Sequence, residues 1–288
     1  NQDNSQYVFT RIPNIAKYII KLNKKLIFES HNNRLHERYN LVDYFLKKSI
    51  LSLSKKKNFA LFICISENLK RFWKNYGIDN QKLLSLHDGF DIKKYIDPKS
   101  KIEYRDMLNI EINKTLAVYT GSLYADRKIE SILYLAKKNQ DVHFIVVGGP
   151  EENKKNFIKK VSIENIENIN FVGRKNHKDI HKYLFSADIL LALWSKDVPT
   201  IDYCSPLKLF EYMASGTPII ANNYATIREV LEDEKDAFLI NGDKDKDLNE
   251  VFKKVKNNES IKVGKNARKK ALDLFTWDKR VNQICKQL

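Results

Sequence analysis

Cysteine is scarce in this chain of 288 residues. Its three cysteines, Cys64, Cys204 and Cys285, lie far apart and form no C-x-x-C pair. That pattern excludes a disulfide framework and a cysteine-based zinc site, and it fits a reducing cytoplasmic compartment. No run of about 18 apolar residues occurs, so no segment reads as a membrane span. No signal peptide is visible in the sequence, and no internal repeat or low-complexity tract stands out. Apart from His31, the histidines show no metal-ligand spacing. The first residue is Asn1, not Met, as expected of a sequence that starts inside a longer polypeptide or after trimming.

What is present points to a folded, basic protein. Hydrophobic residues make up 43%, enough for real cores and too many for a disordered chain. The length suits two domains. A net charge of +15 favours anionic partners: nucleic acid, phosphorylated substrates or acidic lipid. The lysines are spread along the chain, as drift toward Lys, Asn and Ile also produces. No basic stripe with interleaved aromatics is evident, which argues against nucleic acid. Between Tyr39 and Lys57 an apolar stretch (Leu41, Val42, Tyr44, Phe45, Leu46, Ile50, Leu51, Leu53) carries a basic edge of Lys47, Lys48 and Lys55–Lys57. It can lie on an anionic membrane or pack on a sheet with its lysines in water.

Short apolar runs alternate with amphipathic stretches, the pattern of parallel α/β folds. Strands are expected at Lys25–Glu29, Leu61–Ser66, Leu83–Leu86, Thr115–Tyr119, His143–Val147, Ile169–Val172, Ile189–Leu193, Pro218–Ala221 and Ala237–Ile240. Continuous runs such as Phe144–Val147 suit strands buried on both faces. Helices are expected at Lys128–Asn139, Lys178–Phe185, Pro206–Ser215 and Thr226–Glu232. The charged stretch Asp91–Asp106, with Pro98, separates two blocks. Residues 1–95 form a partial Rossmann-like domain with about three strands. Residues 96–274 form a complete six-strand Rossmann-like domain. A final amphipathic helix over 275–288 can pack back on the first domain.

The chemistry is expected at strand ends. Ser205 is a good helix N-cap and Pro206 suits the first helical position, while Gly216 and Pro218 end that helix. Free N–H groups at its start can hold a phosphate. Lys208 in the first turn opposes the helix dipole, and a bound anion would relieve this. Glu211, three residues on, can accept hydrogen bonds from ribose hydroxyls. An ordinary Lys–Glu surface pair is the plain alternative. Gly121 and Ser122 open a second phosphate loop, with Arg127 and Lys128 supplying charge. Gly148, Gly173 and Arg174 close two further strands, where open α/β sheets bind ligands, although strand-ending turns need no ligand. His31 follows a strand and could meet a transferred sugar or move a proton.

Ser205-Pro206-Leu207-Lys208-Leu209-Phe210-Glu211, continued through Gly216 to Ala221, resembles the donor-binding signature of the retaining GT-B glycosyltransferases of family four. Phe28–His31, Ile65–Leu69, His87–Asp91, Gly121–Leu123 with Arg127, Phe171–Gly173 and Ala187-Asp188 follow in family order. The resemblance covers nearly the whole chain. It implies two Rossmann-like domains with a donor cleft between them, the N-terminal one incomplete here. It further implies transfer of a sugar, with retention, from a nucleotide diphosphate sugar to a surface-polysaccharide or lipid-linked acceptor, without metal or cofactor. Arg127 and Lys208 would neutralise the leaving diphosphate. Glu211 would hold the ribose, His31 would approach the sugar, and Ser205, Pro206 and Leu207 would line the donor. The expected location is cytoplasmic, with peripheral contact at the inner membrane face.

Three positions depart from the family. Tyr203 stands where many members carry the first of two glutamates. Ser122 stands where an arginine is frequent, and Arg127 takes a usual lysine position. The opening Gly-rich loop is lacking, so full activity is expected to need a preceding region. A catalytically inert nucleotide-sugar-binding subunit or scaffold is the alternative.

Overall fold

A computed structural model describes residues 6–36, 38–256 and 260–288; the first five residues of the expected first domain lie outside the described ones. Contacts divide the chain into two compact units. The first takes the described residues up to Asp88 together with Pro199–Ser205 and Asp278–Leu288, and the second takes Gly89–Val198 and Pro206–Trp277. Residues 199–205 fall within the span expected for the second domain, but their contacts assign them to the first unit.

The first unit runs β1 (Tyr7–Thr10), α1 (Pro13–Lys21), β2 (Lys25–Ser30), α2 (Asn40–Ser54), β3 (Phe59–Cys64), α3 (Glu67–Tyr76) and β4 (Leu83–Ser85). Its sheet is parallel in the order β1-β2-β3-β4. Four strands stand where about three were expected. The extra one, β1, is a four-residue run cut short by Arg11 and Pro13, too brief for a clear apolar period. One sheet face packs Phe28, Phe62, Leu69 and Trp73 among its core side chains. The other packs Ile27, Leu61 and Ile63 against Ile284. Burying each such side chain contributes about 2 kcal/mol.

The second unit runs α4 (Lys101–Met107), β5 (Thr115–Thr120), α5 (Ile129–Lys138), β6 (Val142–Val147), α6 (Glu151–Ile163), β7 (Ile169–Gly173), α7 (His177–Ser186), β8 (Ile189–Ala192), α8 (Leu207–Ser215), β9 (Ile219–Asn222), α9 (Ala225–Arg228), β10 (Phe238–Ile240), α10 (Asp245–Val255) and α11 (Ser260–Leu274). A last helix, α12 (Trp277–Cys285), lies almost wholly in the first unit. The second sheet is parallel in the order β10-β9-β8-β5-β6-β7. After β5 the chain steps outward to β6 and β7, then returns to the far side of β5 as β8. The order therefore reverses between β5 and β8, and such a reversal opens a crevice at the carboxyl ends of the strands. The apolar run Phe144–Val147 is buried in β6, as a central parallel strand requires.

Candidate active site

The carboxyl end of the second sheet brings several expected residues together. Gly121, Ser122, Gly148 and Arg174 line one cavity of about 360 Å³ with Lys175 and Ile180. Its floor is main chain. A Cβ on Gly148 would lie 1.6 Å from the Gly121 carbonyl oxygen, so only glycine lets these two loops touch. Gly148 also donates its N–H to the Gly173 carbonyl at 3.0 Å, which ties the third glycine loop to the other two. The Gly149–Pro150 peptide beside them is cis.

Lys208 belongs to the same region. Its Nζ would lie 3.3 Å from a Cβ on Gly121. It sits 4.4 Å from the Tyr119 ring centroid and 4.5 Å from that of Trp194. Burial, helped by the nearby Arg127 charge, pushes its ammonium down to about 7. Tyr212, one turn further along α8, accepts a hydrogen bond from the Thr120 N–H at 2.7 Å and fixes the end of β5. Arg127 donates to Ser122 Oγ at 3.1 Å and pairs with Asp126 at 3.5 Å. Lys128, expected to add charge to this loop, instead donates to the Asp243 carbonyl at 3.1 Å.

Glu211 keeps different company from Lys208. Its Oε1 lies 2.8 Å from His177 Nε2, and His177 Nδ1 lies 3.1 Å from Lys94 Nζ. Tyr95 also hydrogen-bonds to it. Burial raises the Glu211 carboxyl above the usual range, against the pull of His177 and Lys94. The carboxylate is therefore fixed by a histidine at the start of α7 and by a buried tyrosine.

The expected cap needs correction. Pro206, not Ser205, occupies the N-cap position of α8, and no side chain caps the helix. The Ser205 hydroxyl instead accepts the Asp88 N–H at 2.9 Å within the first unit. Pro206 and Leu207 stand at the start of α8, whose first amides are left without a side-chain acceptor.

His31 lies in the first unit, at the end of β2. Its Nε2 is 2.5 Å from Glu29 Oε1, and Arg280 of α12 holds the other Glu29 oxygen. Burial alone would raise the Glu29 carboxyl, but the hydrogen bond with His31 and the Arg280 charge hold it below its ordinary value. Asp88 is buried near the same groups, and burial raises its carboxyl. Tyr203 donates to the Pro199 carbonyl at 2.8 Å and packs on the first core.

Sequence reasoning missed Trp194, Tyr95, His177, Glu29 and Arg280. Trp194 carried one usable signal, its place directly after a strand next to the reversal point. The others meet their partners only through tertiary folding.

The two parallel sheets are those of the GT-B glycosyltransferase fold. Anabaena HepE, solved in complex with UDP and glucose, superposes with a TM-score of 0.76 at 17% identity, covering 98% of this chain and 77% of that one. Sucrose-phosphate synthase from Thermosynechococcus elongatus gives 0.75 at 16% identity over 99% of this chain and 73% of its own. The profile of the Glycosyl transferases group 1 family matches residues 100–271, and the chain belongs to that family. An Escherichia coli relative, UDP-Gal:alpha-D-GlcNAc-diphosphoundecaprenol alpha-1,3-galactosyltransferase, is 23% identical over 257 residues, 85% of this chain. The chain spans 62% of that relative's length.

Proposed function

We propose that this chain is the nucleotide-sugar-binding part of a retaining hexosyltransferase of the Ser-Pro-Leu-Lys subgroup. It takes a sugar from a nucleotide diphosphate donor and passes it to a lipid-linked or surface-polysaccharide acceptor. One observation carries the reading: Lys208, with Arg127 close by, stands beside glycine loops where the strand order reverses, and no carboxylate pairs with Lys208 among the described residues. A leaving diphosphate develops charge that these cations are placed to neutralise. The proposed chemistry draws its positive charge from side chains, so a chelator should leave turnover unchanged. His31, oriented by Glu29, is the group assigned to the sugar. The UDP bound by the Anabaena protein and the lipid-linked substrate in the E. coli relative's name support the donor and acceptor classes.

Thermal shift and hydrolysis across a panel of nucleotide sugars test the donor. Stabilisation by one nucleoside diphosphate family is expected; no response to any member would reject the reading. Transfer to a lipid-linked acceptor, assayed with the full-length gene product, separates an enzyme from an inert binding subunit.

We also infer a cytoplasmic protein with peripheral contact at an anionic membrane. No helix among the described residues is long and apolar enough to cross one. Leu41, Tyr44 and Phe45 of α2 are exposed, as are Ile15 and Tyr18 of α1. Between Arg11 and Lys57 twelve basic residues stand against three acidic ones, and two of those, Glu29 and Asp43, are buried in ion pairs. The net field over this stretch is thus positive, which suits anionic lipid. Sedimentation with phosphatidylglycerol vesicles, and not with phosphatidylcholine, is expected. It should weaken in Leu41→Glu/Phe45→Glu; equal binding by the double variant would discard this surface.

A further inference from the structure

Lys208 is held in an unusual way for a cation. Its ammonium faces the Tyr119 and Trp194 rings at 4.4 and 4.5 Å, and among the described residues it donates to the Thr120 carbonyl at 3.4 Å. A desolvated ammonium without a counter-ion is costly, and aromatic faces offset part of that cost. Both rings are fixed. Tyr119 donates its hydroxyl to the Ser122 carbonyl at 2.9 Å, which holds the glycine loop as well. Trp194 is 5% exposed and anchored through its main chain. Its N–H donates to Asn222 Oδ1 at 2.8 Å, and its carbonyl accepts from the Tyr224 hydroxyl at 3.1 Å. The next residue, Ser195, donates its N–H to the Asp126 carbonyl at 2.8 Å, which ties this segment to the Arg127 turn. The end of β5 and the segment after β8 thus meet at one ammonium, and β9 anchors that segment through Asn222.

We propose that Trp194 and Tyr119 form an aromatic cage that positions the Lys208 ammonium so that the donor's diphosphate, and no protein carboxylate, becomes its counter-ion. The cage rests on the nucleotide-sugar reading above and adds to it two positioning residues and a linked proton. Near neutral pH the unliganded amine is shared between its two protonation states, since burial has pushed it down to about 7. Diphosphate binding favours the charged form, so one proton from solvent adds to the Nζ lone pair and no other bond changes. The titratable groups around Lys208 are Arg127 with its partner Asp126 after β5, Tyr119 on β5, and Tyr212 on α8. Glu211, also on α8, is engaged by His177.

The test uses the 288-residue chain, with UDP as the probe. Calorimetry in buffers of different ionisation enthalpy should show proton uptake on binding at pH 7.5. UDP affinity should fall roughly tenfold per pH unit above pH 7. Lys208→Arg should bind UDP without that pH dependence, because arginine stays charged. Trp194→Leu should weaken UDP binding about tenfold, and Trp194→Phe, which keeps an aromatic face, should recover most of the loss. Carbon-13 NMR of the lysine side chains reads the amine of the wild-type chain directly, even if Trp194→Leu does not fold. A midpoint near 7 that rises with UDP is expected. An ordinary lysine midpoint, or UDP binding unchanged in folded Trp194→Leu, overturns the cage and leaves the nucleotide reading standing. Failure of the wild-type chain to bind any of UDP, GDP, ADP and dTDP at any pH from 7 to 9 overturns the nucleotide reading, and the donor role of the cage with it; binding of one of the others in place of UDP moves the same pH and Trp194 tests to that nucleotide.

Discussion

The two units treat charge at their strand ends in opposite ways. In the first, Glu29 is held between His31 and Arg280, with Asp88 nearby and also buried. The cluster satisfies itself and fixes one imidazole ring. In the second, Lys208 rests on aromatic faces with no carboxylate among the described residues paired to it, beside a cavity lined by glycines and Arg174. Strand ends of one architecture can thus be made self-neutral or left short of an anion. The difference separates a group held in place for chemistry from a surface prepared for a charged ligand.

Substitutions break or sharpen that contrast, and the largest effect is expected at the main-chain floor. Gly148→Ala forces a methyl into the Gly121 carbonyl, and about 3 kcal/mol of stability should go with it. Denaturant melts would show this, and an unchanged midpoint would mean that the loops do not touch. Glu29→Gln strips the buried Arg280 of its counter-charge and should also cost about 3 kcal/mol at neutral pH. The pH dependence has a definite sign. The Glu29 carboxyl lies below its ordinary 4.5 when folded, so its stabilisation is present above that value and is lost as pH falls through the folded value. The variant should flatten the acid limb of the stability curve, and a parallel curve would assign the charge pairing elsewhere.

Lys208→Ala should weaken UDP binding roughly 100-fold, since it removes the charge that the diphosphate meets. Affinity equal to that of the wild-type chain would move the anion site off α8. Glu211→Ala is expected to cost about tenfold in UDP affinity. Its loss should be smaller for a nucleotide lacking both ribose hydroxyls, and an equal loss there would detach Glu211 from the ribose. Ser205→Ala sits at the bottom of the scale. Its hydroxyl serves the Asp88 amide and not α8, so a thermal melt should register about 1 kcal/mol of destabilisation with nucleotide affinity unchanged.

Local patterns were legible to the extent that local forces set them. The runs in β6 and β8 announce strands because both of their faces are buried. Strand β1 escapes notice because four residues cannot display a period. The loop glycines and Lys208 could be read from spacing. Ser205 misled because its partner Asp88 is 117 positions away, and no capping rule sees that distance. The Trp194 cage was invisible for a related reason: it joins side chains of separate strands and a helix around one ammonium, and only the sheet order brings them together.

The contact between Gly148 and Gly121 has a consequence for how this site can diversify. With the cavity floor made of peptide groups, side-chain changes nearby leave the phosphate platform where it is. Preference for one base or sugar over another must then be written in the walls, at positions such as Arg174, Lys175 and Ile180. A designer seeking a new donor would vary those residues freely and leave the glycines alone.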